Sequence, residues 1–154
     1  NTMRFMMALV LAFAMHSQSA STADGPIAVG DVSIRAHQHG SEFVCSISNV
    51  GSKPIRAYAF VLDVFRDGRP IGAFTQIGTP GPGTFFNPGQ SYKVSGFILK
   101  KKDPAAPDFD YRAIVDYVLF ADGSEWGADV HKGSVRVAKQ LEALQLRHEQ
   151  AQPR

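Results

Sequence analysis

Between Asp24 and His131 short runs of alternating apolar and polar residues are broken by Gly, Pro, Asn and Asp, the period-two signature of an all-β fold. Seven strands are predicted. The first covers Val32 to Ala36, and the second, Glu42 to Val50, sets Phe43, Cys45 and Ile47 on one face with Ser46 and Ser48 opposite. After an Asn49–Pro54 turn, the run Ile55 to Phe65 is apolar on both faces: Ala57, Ala59 and Val61 lie on one side, and Tyr58, Phe60, Leu62 and Val64 on the other. A strand with no polar face belongs at the centre of a sheet. Asp67-Gly68 turns into a fourth strand near Pro70 to Ile77, and a Gly/Pro loop from Thr79 to Thr84 and an Asn87-Pro88-Gly89-Gln90 turn lead to Tyr92–Leu99. A long polar loop from Lys100 to Asp110 precedes Tyr111–Ala121, a second two-faced strand, and Asp122-Gly123 closes a hairpin onto a last strand with Trp126.

From Ser134 the period changes to helical, with Val137, Leu141 and Leu144 at i, i+4 and i+7 and charges elsewhere, which predicts an amphipathic C-terminal helix. At the other end, Phe5–Met15 is an uncharged stretch of eleven residues preceded by Arg4 and followed by small polar residues, the pattern of a cleavable signal peptide. It is shorter than the roughly twenty apolar residues a spanning helix needs, so no membrane anchor is expected after cleavage. Small residues favour cleavage after Ala23 or after Ser19. The organisation expected is therefore a signal peptide at 1–23, one β domain at 24–131 and a helix with a short tail at 132–154, in a protein exported to the periplasm or the medium.

Charge is nearly balanced, with 16 Lys and Arg against 14 Asp and Glu, and nothing reads as a nucleic-acid binder. The segment 24–131 has net charge −2 and 132–154 has +3, so the helix is the basic part. The lone cysteine, Cys45, has no intramolecular disulfide partner and sits at an inward strand position, where a thiol behaves as a small hydrophobe. Gly-x-Ser-x-Gly, Ser-x-x-Lys and phosphate-binding glycine loops are all missing from the sequence, so neither an enzyme nor a cofactor is expected. Asp63 and Asp116 interrupt apolar strands as a paired acid/base site would, but bonding to solvent or to a backbone N–H is the plainer expectation.

Three motifs, SISNVGSKPI, FNPGQSYKV and VDYVLFADGSEWG, give a stretch from about Glu42 to Gly127 that resembles the immunoglobulin-like or fibronectin-like β-sandwiches of exported, mostly uncharacterised bacterial proteins. The first two are also similar to turns in a proteinase-inhibitor domain of bacilli. The resemblance implies an immunoglobulin-like sandwich of about seven antiparallel strands and no particular ligand. Antibody-type domains pair two cysteines across the sheets around a Trp; here Cys45 is alone and Trp126 follows it on a late strand, so antibody-like recognition is not implied.

Two groups of candidate site residues follow. Phe85 and Phe86 succeed the Gly/Pro loop, and adjacent residues of an extended chain point to opposite sides, so at least one should be exposed unless another element covers it, and both are candidates for docking a partner. If successive strands reverse direction, one end of the domain collects His37 and His39, Arg66 and Arg69, Lys100, Lys101 and Lys102, and then Asp129 and His131. His37, His39, Asp129 and His131 have the donor chemistry of a Zn or Cu site. The arginines and lysines would instead attract an acidic or anionic partner. The expected function is a non-catalytic binding module for a protein or anionic partner, with a loop-presenting proteinase inhibitor and a periplasmic metal carrier as alternatives.

Overall fold

The computed structural model describes residues 25–37, 40–81, 83–100 and 109–151. The expected signal peptide, His39, Lys101 and Lys102 lie outside the described residues. The elements are β1 (Ile27–Val29), β2 (Ser33–His37), β3 (Gly40–Asn49), β4 (Ile55–Arg66), β5 (Arg69–Gly78), β6 (Ser91–Lys100), β7 (Phe109–Phe120), β8 (Glu125–Trp126) and α1 (Gly133–Ala151). The fold is all-β with two antiparallel sheets and one C-terminal helix. Eight strands form among the described residues, against the seven read from the pattern. The added one is β1, three residues long, too short for alternation to register.

In the first sheet β1 and β2 lie end to end along one side of β3, with Ile27 opposite Asn49 and Ser33 opposite Val44, and β6 takes the other side. The second sheet runs β5-β4-β7-β8. One core lies between the sheets: Phe43, Cys45 and Ile47 of β3 and Val94 of β6 meet Tyr58, Phe60 and Leu62 of β4 and Ala113 and Val118 of β7. Phe43 and Phe60 stack across the gap with ring centroids 5.9 Å apart. Burying each such large side chain is worth about 1.5–3 kcal/mol, so this layer is the main source of stability. The other face of the first sheet exposes Ser46, Lys93 and Ser95, which is why β3 alternates cleanly.

The two-faced strands have a different cause. The second face of β4 and β7 carries Ala57, Ala59 and Tyr117, and α1 lies on it with Val137 fully buried and Leu141, Ile77 and Leu119 packed around. Small alanines on the sheet let the helix approach closely. The predicted helix stripe is thus an intramolecular packing face, of which Val137 and Leu141 form the seated part.

Two β-bulges break the alternation of the central pair, and each carries an ionic residue. Ile55 pairs with Phe120 and Ala57 with Leu119, leaving Arg56 as the extra residue of β4. Ala59 pairs with Tyr117 and Phe60 with Val115, leaving Asp116 as the extra residue of β7. Beyond that bulge the inward set of β7 changes parity, from Ala113 and Val115 to Val118 and Phe120. Bulges re-aim side chains, and these two direct a cation and an anion towards the helix side.

Candidate functional site

The three motifs behind the family resemblance meet at one end of the molecule. Asn49, 1% exposed, donates from Nδ2 to the carbonyls of Phe86 at 2.7 Å and Lys53 at 3.0 Å, and its Oδ1 accepts from Gly51 N–H. Its backbone bonds Gly89 and Gln90. Ile55 and Phe86 form a two-bond bridge, Ala121 N–H donates to the Pro54 carbonyl, and Lys53 Nζ reaches Asp122 at 2.7 Å and Ser124 at 3.0 Å. These bonds hold together the connections β3–β4, β5–β6 and β7–β8. They also anchor the chain that follows the Gly/Pro loop.

Beside this knot a cleft of about 530 Å³ opens between the segments 79–81 and 83–85 and the C-terminal half of α1. Phe85, Leu141 and Leu144 give it an apolar surface, and Arg56, Glu142 and Gln145 are among its polar lining residues. The loop is braced from within, because Thr84 Oγ1 donates towards the carbonyls of Pro80 at 2.6 Å and Gly81 at 3.1 Å. Arg56 projects from its bulge as an exposed residue, and its guanidinium makes no ion pair or hydrogen bond among the described residues. Gln145 Nε2 donates to Glu149 one helical turn on.

Phe85 and Phe86 divide as the alternation of an extended chain requires. Phe86 is fully buried, with its ring 4.8 Å from that of Tyr92 and 6.3 Å from that of Tyr58; Phe85 is 38% exposed and lines the cleft. Phe86 is therefore core, and its place among the partner-binding candidates is corrected. Phe85 stays.

The other candidate end is placed in part. The paired ends of β2 at His37 and β3 at Gly40, the Arg66–Arg69 turn, and the ends of β6 at Lys100 and β7 at Phe109 lie away from the Asn49–Ile55 end, since His37 pairs with Gly40, Gly40 with Lys100 and Arg66 with Phe109. Asp129 and His131 lie against the second sheet in the segment leading into α1, where Asp129 N–H bonds the Asp116 carbonyl and His131 Nε2 is 3.8 Å from Asp63, in the half of β4 nearer Arg66. Asp129 uses both carboxylate oxygens on Ser134, on its N–H at 2.8 Å and on its hydroxyl. Those hydrogen bonds, the hydroxyl's first, hold the Asp129 carboxyl below its ordinary range. Among the described residues no group of three or more His, Cys, Asp or Glu converges on a common metal position.

Asp116 is 2% exposed, and its carboxylate accepts from His131 N–H at 3.1 Å and from Gly133 N–H at 3.2 Å. It works as a structural clamp on the first turn of α1, which carries no acid of its own. Burial pushes the Cys45 thiol up to about 11.

Sequence reasoning singled out Phe85 but missed the partners that make its surroundings a cleft. Arg56 was among those missed, a cation directly after Ile55 at the start of a run read as apolar on both faces. Leu144 was visible as part of the helical stripe, and its place at the edge of that stripe follows from where the helix sits on the sheet. No helix among the described residues is long and apolar enough to cross a membrane. Comparison with known proteins finds no family model, no curated protein and no solved structure that matches this chain.

Proposed function

We propose that the chain is an exported, non-catalytic binding module, an immunoglobulin-like sandwich whose ligand site is the cleft between α1 and the segments 79–81 and 83–85. The strand order supports the fold: β1/β2-β3-β6 takes the positions of strands A, B and E, and β5-β4-β7-β8 those of C′, C, F and G. The observation that carries the site is Phe85, an aromatic side chain turned into a concave surface at the end of a braced loop. A cleft of this size with an apolar surface and a few polar groups is the usual form of a small-ligand site.

The alternatives have less behind them. The inhibitor reading rests on the stiffness of the loop, but Phe85 borders α1 across the cleft instead of standing free. A metal carrier would need Asp129, whose two oxygens are already engaged.

Amide-detected NMR of the labelled protein against a fragment library tests the site. Hits are expected to shift the amides of Thr84, Phe85, Leu141 and Gln145, and Phe85→Ser should abolish those shifts. Hits confined to the surface around Trp126 would reject the cleft. Export has its own test, because secreted material should begin near residues 20 to 24.

A further inference from the structure

We infer that the cleft takes a small amphiphile with a single negative charge, a medium-chain monocarboxylate, with Arg56 holding the carboxylate and Phe85, Leu141 and Leu144 packing on the hydrocarbon chain. The inference rests on the reading of the cleft as a ligand site and adds the chemical class of what enters it.

Three observations converge on this class. First, the cleft volume of about 530 Å³ falls in the lower half of the range of roughly 300–1,000 Å³ that small-molecule sites occupy. A medium-length hydrocarbon chain is small enough to enter a site of this size. Second, its three large apolar side chains come from two separate segments, so a slender chain can lie between the loop and the helix with contacts on both sides.

Third, the charge is specific. Arg56 is the extra residue of a bulge, a placement that directs it out of the sheet and to the cleft, and it has no partner among the described residues. A planar guanidinium matches a carboxylate with two parallel hydrogen bonds. Glu142 lines the same cleft. One cation can offset one negative charge, whereas a phosphate or dicarboxylate would bring a second charge against Glu142. His148, also in the lining, already has an interaction of its own.

A purely structural role for Arg56 is the competing account, since a cation beside the last turns of a helix favours the helix dipole. The two accounts separate in calorimetric titration of the full chain with sodium octanoate below its micellar concentration, beside octan-1-ol and sodium phosphate. Octanoate should bind saturably at submillimolar concentration and phosphate should not bind. Arg56→Gln should weaken octanoate at least about tenfold, as loss of a charge-assisted pair does, while altering octanol less than about twofold. Arg56→Lys should restore part of the loss, and Glu142→Gln should tighten octanoate. Thermal melts of the variants establish that they fold.

Octanol binding as tightly as octanoate, with neither changed by Arg56→Gln, would overturn the anionic class and leave the cleft standing as a site. Octanoate uptake that survives both Arg56→Gln and Phe85→Ser would place the binding elsewhere and overturn the inference. Absence of saturable octanoate binding to the unaltered chain overturns it too; the fragment screen then decides separately whether the cleft binds anything.

Discussion

Asp116 of β7 accepts a hydrogen bond of 3.2 Å from the backbone N–H of Gly133, the first residue of α1, and so fixes the helix start against the sheet that it covers. The contact is close enough to exclude any side chain: a Cβ on Gly133 would fall 2.6 Å from that of Ala59 and 2.9 Å from that of Tyr117. Propensity alone makes alanine better than glycine in a helix by up to about 1 kcal/mol. Here the sign should reverse, and Gly133→Ala should destabilise the protein in urea unfolding. Asp116→Ala leaves two backbone donors without their carboxylate and should cost about 2–3 kcal/mol. Unchanged stability in both variants would show that the helix start is not held this way.

The reach of the sequence can be traced through these same residues. Alternation in β3 is clean because one face meets solvent, and the two apolar faces of β4 were legible as a central strand. That the second face is covered by the chain's own helix was not legible, because periodicity says that a face is buried and not what buries it. Bulges are equally hidden: each inserts one residue into an otherwise regular run, so Asp116 reads as an intrusion in an apolar strand and Arg56 draws no notice, when both are the points where the strand changes parity. Counting reversals puts Asp129 and His131 at a sheet end; the segment after β8 folds back over the sheet, with Asp129 bonded to the Asp116 carbonyl and His131 beside Asp63 in the half of β4 nearer Arg66. The motifs that suggest a family meet in the interlocked turns around Asn49, where their residues bond one another.

The helix offers a paired test on two valines. Val137 is fully buried against Ala57, Ala59 and Tyr117, whereas Val135 is 64% exposed. Val137→Ala should cost about 2 kcal/mol from lost transfer energy and a residual cavity. Val135→Ala should change stability by less than about 0.5 kcal/mol. Truncation before Lys132 should lower the melting temperature further and promote aggregation, since it uncovers the apolar outer face of β4 and β7.

Cys45 should be inert in the native state. Burial in the core holds the thiol at about 11, so near neutral pH it stays protonated as well as covered. Reaction with Ellman's reagent at mildly alkaline pH should proceed at the rate of unfolding and become rapid in denaturant. Fast labelling of the folded chain would contradict the packing of β3.

Acid should loosen two turns together. The Asp122 carboxyl is held below its ordinary value near 3.8 by Lys53 first and then by Ser124, and Asp129 is lowered by Ser134. A depressed native value means that the unfolded chain takes up the proton first as pH falls. The stabilisation is therefore complete above the ordinary carboxylate range and is lost as pH drops through the lower native values. Stability followed from about pH 5 to pH 2 should fall less steeply in Asp129→Asn and in Asp122→Asn than in the unaltered chain, a slope that urea titrations at successive pH values measure.

Phe85 and Phe86 should have opposite phenotypes, although they are adjacent and chemically identical. Phe86 is fully buried, its backbone bridges Ile55, and its carbonyl takes the Asn49 side-chain amide. Removing its ring leaves a cavity between Tyr58 and Tyr92, so Phe86→Ala should cost about 3–5 kcal/mol. Phe85 is partly exposed and borders the cleft, where the ring contributes little to the core. Phe85→Ala should leave the unfolding midpoint close to that of the unaltered protein and weaken whatever the cleft holds. Denaturation curves of the two variants, with octanoate titrated into Phe85→Ala, read both effects. A large stability loss in Phe85→Ala would mean that the loop is packed as core, and the cleft would then lose its aromatic wall as a site open to ligand.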